Sequence, residues 1–157
     1  MRTILVGYEA SDAAERVLDR AAELAEALSA RLVVVSVATA APLPATAPVL
    51  EPGGPMLVPG GGAPLVEPEP GGEPDPRELA QRRLAQARAK LAARRLEADY
   101  VAEVGSPAER LLTVADERDA ELIVVGSREH GLLERLVTQP VEEAVARRAG
   151  RDVLIVH

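Results

Sequence analysis

At 157 residues the chain is one domain's worth and long enough to bury a core. Two Tyr are its only aromatic residues, so the core must be Leu, Val, Ile and Ala, and stacking platforms for single-stranded nucleic acid are excluded. A net charge of −7 argues against nucleic acid and anionic membrane as partners, and the absence of Cys excludes disulfides, thiolate metal sites and thiol catalysis.

Two His are too few for a His-rich metal site. Arg2 and Thr3 lead into a short strand-like run, not the long apolar stretch of a signal peptide, and no run is long enough to span a bilayer. The expectation is a soluble, cytoplasmic protein.

Thr3 to Tyr8, TILVGY, is continuously apolar and predicts a first strand. After a turn at Glu9–Ser11, Asp12 with Glu15 predicts a capping box. Val17, Leu18, Ala21, Leu24, Ala25 and Leu28 then recur at helical spacing, which predicts a helix to about Ser29. Arg31 to Val37 predicts a second buried strand. From about 38 to 74 the composition changes to Pro and Gly, and no periodicity survives. This insertion reads as a linker-like loop or, alternatively, as a lid that packs Leu57, Val58, Leu65 and Val66 over a cleft.

Asp75-Pro76-Arg77-Glu78 is a strong helix start, and Ala80, Leu84, Ala87 and Leu91 mark the inward face of that helix. Its many Arg read as a solvated face. Glu97 to Val104 alternates as a third strand. Ser106-Pro107-Ala108-Glu109 opens a third helix with Leu111, Leu112, Val114 and Ala115. Leu122 to Val125 is a fourth strand, closed by Gly126. Gln139-Pro140-Val141-Glu142 opens a fourth helix to about Arg148, and Val153 to Val156 is a fifth strand. Strands alternating with helices predict βαβ crossovers and a parallel α/β sheet. In such sheets ligands bind beyond the strands' C-terminal ends, which points to the turn after the fourth strand, Ser127-Arg128-Glu129-His130-Gly131.

Four pieces of the sequence carry a family resemblance: ILVGYEAS at the start, LVVVSV in the second strand, VGSPAERLL leading to AELIVVGSREHG, and RDVLIVH at the end. Together they resemble the universal stress protein family, as one single-domain copy over 1–157 with the insertion at about 38–74. The resemblance implies an open five-stranded parallel sheet of order 3-2-1-4-5 with helices on both faces, Rossmann-like and similar to the adenine-nucleotide α-hydrolases. It implies a homodimer paired through the C-terminal strand, Val153–Val156.

It also implies a nucleotide cleft. Glu9 stands where nucleotide-binding members carry an Asp against the nucleoside. Val37 matches the position whose backbone reads adenine. Gly126, Ser127 and Arg128 follow the common family sequence, and Gly131 has a counterpart in many members' Gly-rich turn. The binding branch carries G-x2-G-x9-G-[ST], which falls here on Gly126, Glu129, Gln139 and Pro140, so one position of four matches. Glu129 adds a negative charge where Gly would let backbone approach phosphate, and Pro140 offers neither amide nor hydroxyl. The expectation is a stress-response module whose cleft binds ATP weakly or not at all. The alternative is an ATP or AMP binder with a divergent phosphate turn.

Catalysis has little support. Ser11 and Asp12 lack a His at a recognisable spacing for a hydrolytic triad. No Walker motif is present, and Ser127 lacks the G-x-S-x-G frame of a nucleophile elbow. His130 reads as a surface residue of its turn.

Overall fold

The computed structural model describes residues 2–39, 75–127 and 140–157. The elements in chain order are β1 (Thr3–Gly7), α1 (Asp12–Leu28), β2 (Arg31–Ala38), α2 (Pro76–Ala93), β3 (Ala98–Val104), α3 (Pro107–Glu117), β4 (Leu122–Gly126), α4 (Val141–Arg148) and β5 (Asp152–Val156). The five strands form one parallel sheet of order β3-β2-β1-β4-β5, as expected. The expected central loop and its lid residues, and the turn from Arg128 to Gln139 with Glu129, His130 and Gly131, lie outside the described residues.

Alternation along the strands splits the core into two layers. Ile4, Val6, Leu32 and Val34 face α1 and α2, where they meet Leu18, Leu84 and Leu91. Leu5, Val33, Val35 and Ile123 face the opposite way, against Leu111, Val114 and Val145 of α3 and α4. The expected inward set of α2, Ala80, Leu84, Ala87 and Leu91, is buried as a block.

Two helix starts differ from expectation. The N-cap of α1 is Ser11, not Asp12: its hydroxyl accepts from the Ala14 amide at 3.1 Å, and Asp12 is the first helical residue. Glu15 is then one position too far along for a capping box and is used elsewhere. At α4, Pro140 is itself the N-cap, not the first helical residue, and makes no side-chain cap bond. By contrast Asp75 caps α2 as read, accepting from the Arg77 amide at 3.0 Å.

Candidate functional site

Strand order reverses direction at β1, which has β2 on one side and β4 on the other. Chain leaving β1 and chain leaving β4 therefore diverge to opposite faces, and a crevice opens between them. Here it is a cleft of about 260 Å³.

Its floor follows from the ladder. The Tyr8 amide donates to the Val35 carbonyl at 2.8 Å, and β1–β2 pairing ends there. Strand β2 runs on to Ala38, so Val37, two residues past Val35, turns its amide and carbonyl toward the cleft with no β1 residue paired to them. The carbonyl instead accepts from Arg83 Nη1 of α2 at 3.3 Å. Leu79, one helical turn before Arg83, lines the same wall.

The β1 side brings Gly7, Tyr8 and Glu9. A Cβ on Gly7 would lie 3.3 Å from Leu111 Cδ1, so the backbone here is packed directly against α3. Ala10 has φ +60°, a left-handed conformation that L residues adopt at a cost, and this bends the chain from Glu9 into α1. Ser11 Oγ donates to Glu9 Oε1 at 3.3 Å. On the β4 side, Gly126 and Ser127 line the cleft. A Cβ on Gly126 would meet Val17 Cγ2 at 3.0 Å, so Gly lets the turn sit close on α1. Ser127 Oγ shares a hydrogen bond of 2.8 Å with His157 Nδ1. No carboxylate backs that imidazole among the described residues, so the pair lacks the third member of a hydrolytic triad.

The far wall is the start of α4, where Val141 and Glu142 reach the cleft. The first helical bond runs from the Ala144 amide to the Pro140 carbonyl, so the amides of Val141, Glu142 and Glu143 are donors the helix does not use. Glu142 and Glu143 put two carboxylates on that same turn. Among the described lining residues the charges are Glu9, Glu142 and Arg83. No cluster of metal-ligating side chains occurs among the described residues.

Tyr8 links the cleft to the helix layer. It is buried, and its hydroxyl donates to Glu15. Burial, then this bond, pushes its pKa well above the ordinary tyrosine value. Lys90 Nζ donates to Glu15 Oε2 at 2.6 Å and to Asp19 Oδ2 at 2.8 Å, and Arg94 pairs with Asp19 at 3.3 Å.

The structure thus gathers Glu9, Val37, Gly126 and Ser127 around one cleft, while Arg128, Gly131 and Gln139 lie outside the described residues. Sequence reasoning missed Arg83, Leu79 and the Ser127–His157 contact. Leu79 and Arg83 share a helix face by their spacing, which was a usable signal. His157 meets Ser127 only through the β4–β5 register, in which Gly126 pairs Val156.

The sequence matches the universal stress protein family over residues 1–157. It is 33% identical to universal stress protein Rv1636 of Mycobacterium tuberculosis, over 99% of this chain and 96% of that protein. Among solved structures, it is similar to a universal stress protein in complex with cAMP, with a TM-score of 0.67, 28% identity and coverage of 99% and 97% of the two chains. A universal stress family protein from Burkholderia pseudomallei matches with a TM-score of 0.63 and 27% identity, over 98% of this chain and 94% of that one. The chain belongs to the universal stress protein family.

Proposed function

We propose that this chain is a homodimeric, cytoplasmic stress-response module, a single domain with an insertion at about 38–74, whose cleft takes an adenine nucleotide with one phosphate, linear or cyclic. ATP binds weakly or not at all, and the protein is not an enzyme. The carrying observation is the charge of the described residues lining the cleft: two carboxylates, Glu9 and Glu142, beside one guanidinium, Arg83. The volume, at the small end for ligand sites, supports a compact ligand. The similar protein bound to cAMP supports the ligand class.

In this reading the base edge pairs with the amide and carbonyl of Val37, and Glu9 accepts from the ribose. Gly126 and Ser127 lie under the phosphate, with Arg128, Gly131 and Gln139 as further candidates from the adjoining turn. A base amino group takes the Val37 carbonyl, and Arg83 turns its charge to the phosphate. A longer phosphate chain would run toward α4 and meet Glu142. Two unit charges about 4 Å apart interact by about 1 kcal/mol in water and about 4 kcal/mol near a protein surface, so one such carboxylate costs about one to three decades of affinity.

Calorimetric titration with AMP, cAMP and ATP tests this. The expected result is saturable binding of a monophosphate, with ATP roughly tenfold or more weaker. ATP binding as tightly as AMP would overturn the electrostatic reading. Binding of none of the three would leave a module that acts through protein contacts alone.

A further inference from the structure

The sheet has a second edge, at β3, away from the cleft. Among the described residues β3 pairs only with β2. The Gly105 amide donates to the Ala38 carbonyl at 3.0 Å, which sets the phase of that ladder. Asp99, Val101 and Glu103 therefore bond toward β2, and Tyr100 and Ala102 hold their amides and carbonyls outward. An open strand edge of this kind templates pairing with another chain.

Beside the edge runs α2, and between them lies a groove of about 700 Å³. Its floor is small, with Ala85, Ala89 and Ala92, and among the described residues the charged side chains lining it are Arg77 and Arg88. Arg88 lies 4.5 Å over the Tyr100 ring, which holds the guanidinium at the groove. Neither Arg77 nor Arg88 has an anionic partner among the described residues. The other arginines of this helix are engaged, Arg82 with Glu78 and Arg83 with the Val37 carbonyl, and at its C-cap Arg94 pairs with Asp19. In a chain of net charge −7, two guanidiniums with no anionic partner among the described residues, beside a strand edge, are a local reversal of sign.

We propose that this groove binds an acidic segment of a partner protein in extended conformation, which adds to β3 as a sixth strand and sets carboxylates against Arg77 and Arg88. Main-chain pairing with Tyr100 and Ala102 supplies affinity, and the arginines supply selection. The two arginines are eleven positions apart on the helix, about 16 Å along the axis. That matches about five residues of extended chain, so a short segment spans both. Near the start of β3 the groove continues past Arg31, Arg95, Glu97 and Asp99, where Asp99 is paired with Arg31.

The test uses the full chain without nucleotide, so its outcome is independent of the cleft. The probe is a fluorescein-labelled decapeptide of alternating Glu and Val, compared by anisotropy with a Lys-Val peptide of equal length and with oligo-dT. Saturable binding of the Glu-Val peptide is expected, weakened about fivefold by Arg88→Glu and further by adding Arg77→Glu. Methylating alternate amides of the peptide on the paired edge should abolish binding. Both arginines are exposed, and thermal melting checks that the variants fold. No binding, preference for oligo-dT, indifference to the charge reversals, or indifference to N-methylation would each overturn the proposal, the last by reducing the contact to loose charge attraction.

Discussion

Glu15 ties three parts of the molecule together through one carboxylate. It accepts from the Tyr8 hydroxyl under the cleft and from Lys90 on α2, while itself belonging to α1. The hydrogen bond from Lys90, then that from Tyr8, holds its pKa below the ordinary carboxylate value. For Lys90, burial works against the charge, but the bonds to Asp19 and Glu15 outweigh it and raise its pKa. The sign for Glu15 follows from linkage. Its folded pKa lies below the unfolded value of about 4.3, so its contribution is complete above that pH. It is lost as pH falls through the folded value, because the native state must then take up a proton. The side chain is 37% exposed, which keeps the pair modest, about 1 kcal/mol. Glu15→Gln should thus lower stability by about that amount at pH 7, and the gap to the parent should close below about pH 4. Urea unfolding at pH 7, 5, 4 and 3 measures it; a gap that stays constant with pH would show that the charge is not what matters.

At the scale of elements, the proposed function gives α4 the selection among anions. A helix start attracts anions through its free amides and its dipole, but here Glu142 already supplies that charge. Glu142→Gln should leave AMP affinity nearly unchanged and strengthen ATP binding by about tenfold, corresponding to about 1.4 kcal/mol. Parallel titrations of both nucleotides read the ratio, and equal gains for both would count against the account. The elements themselves were legible in the sequence because buried parallel strands are short apolar runs with Gly or polar stops, and because Asp75-Pro76 announces α2 unambiguously. The cap of α1 was less so: Ser11 and Asp12 are both good caps, and only the backbone turn at Ala10 selects Ser11. The cleft was half legible. Gly126 and Ser127 follow from a strand end, which sequence marks well, whereas Glu9 and Val37 were placed by the family resemblance. Arg83 was read as part of a solvated face, because helical periodicity gives a residue's direction from the axis but not what the helix docks against.

The molecule as a whole has two different sheet edges. At β3 the edge is flanked by guanidiniums, whereas β5 is apolar on both faces: Leu154 and Val156 pack toward α1, and Val153 and Ile155 toward α3 and α4. All four are half-buried, and Asp152 is the one charge on the strand. An apolar edge whose one charge sits at its first residue, with no Pro, is poorly guarded against pairing. If two copies pair there about a twofold axis, the contact closes and no filament results. The ladder identifies the backbone groups involved. The Ser127 amide donates to the Val156 carbonyl at 2.9 Å, so Asp152, Leu154 and Val156 bond inward to β4, and Val153 and Ile155 present theirs outward. Val153→Pro therefore removes an outward amide while sparing the β4–β5 ladder, a setting in which a strand tolerates Pro. Sedimentation velocity should find the parent chain dimeric and this variant monomeric, with matching circular dichroism. A variant that stays dimeric would place the interface elsewhere, and a parent that is monomeric at tens of micromolar would remove the dimer from the proposed function.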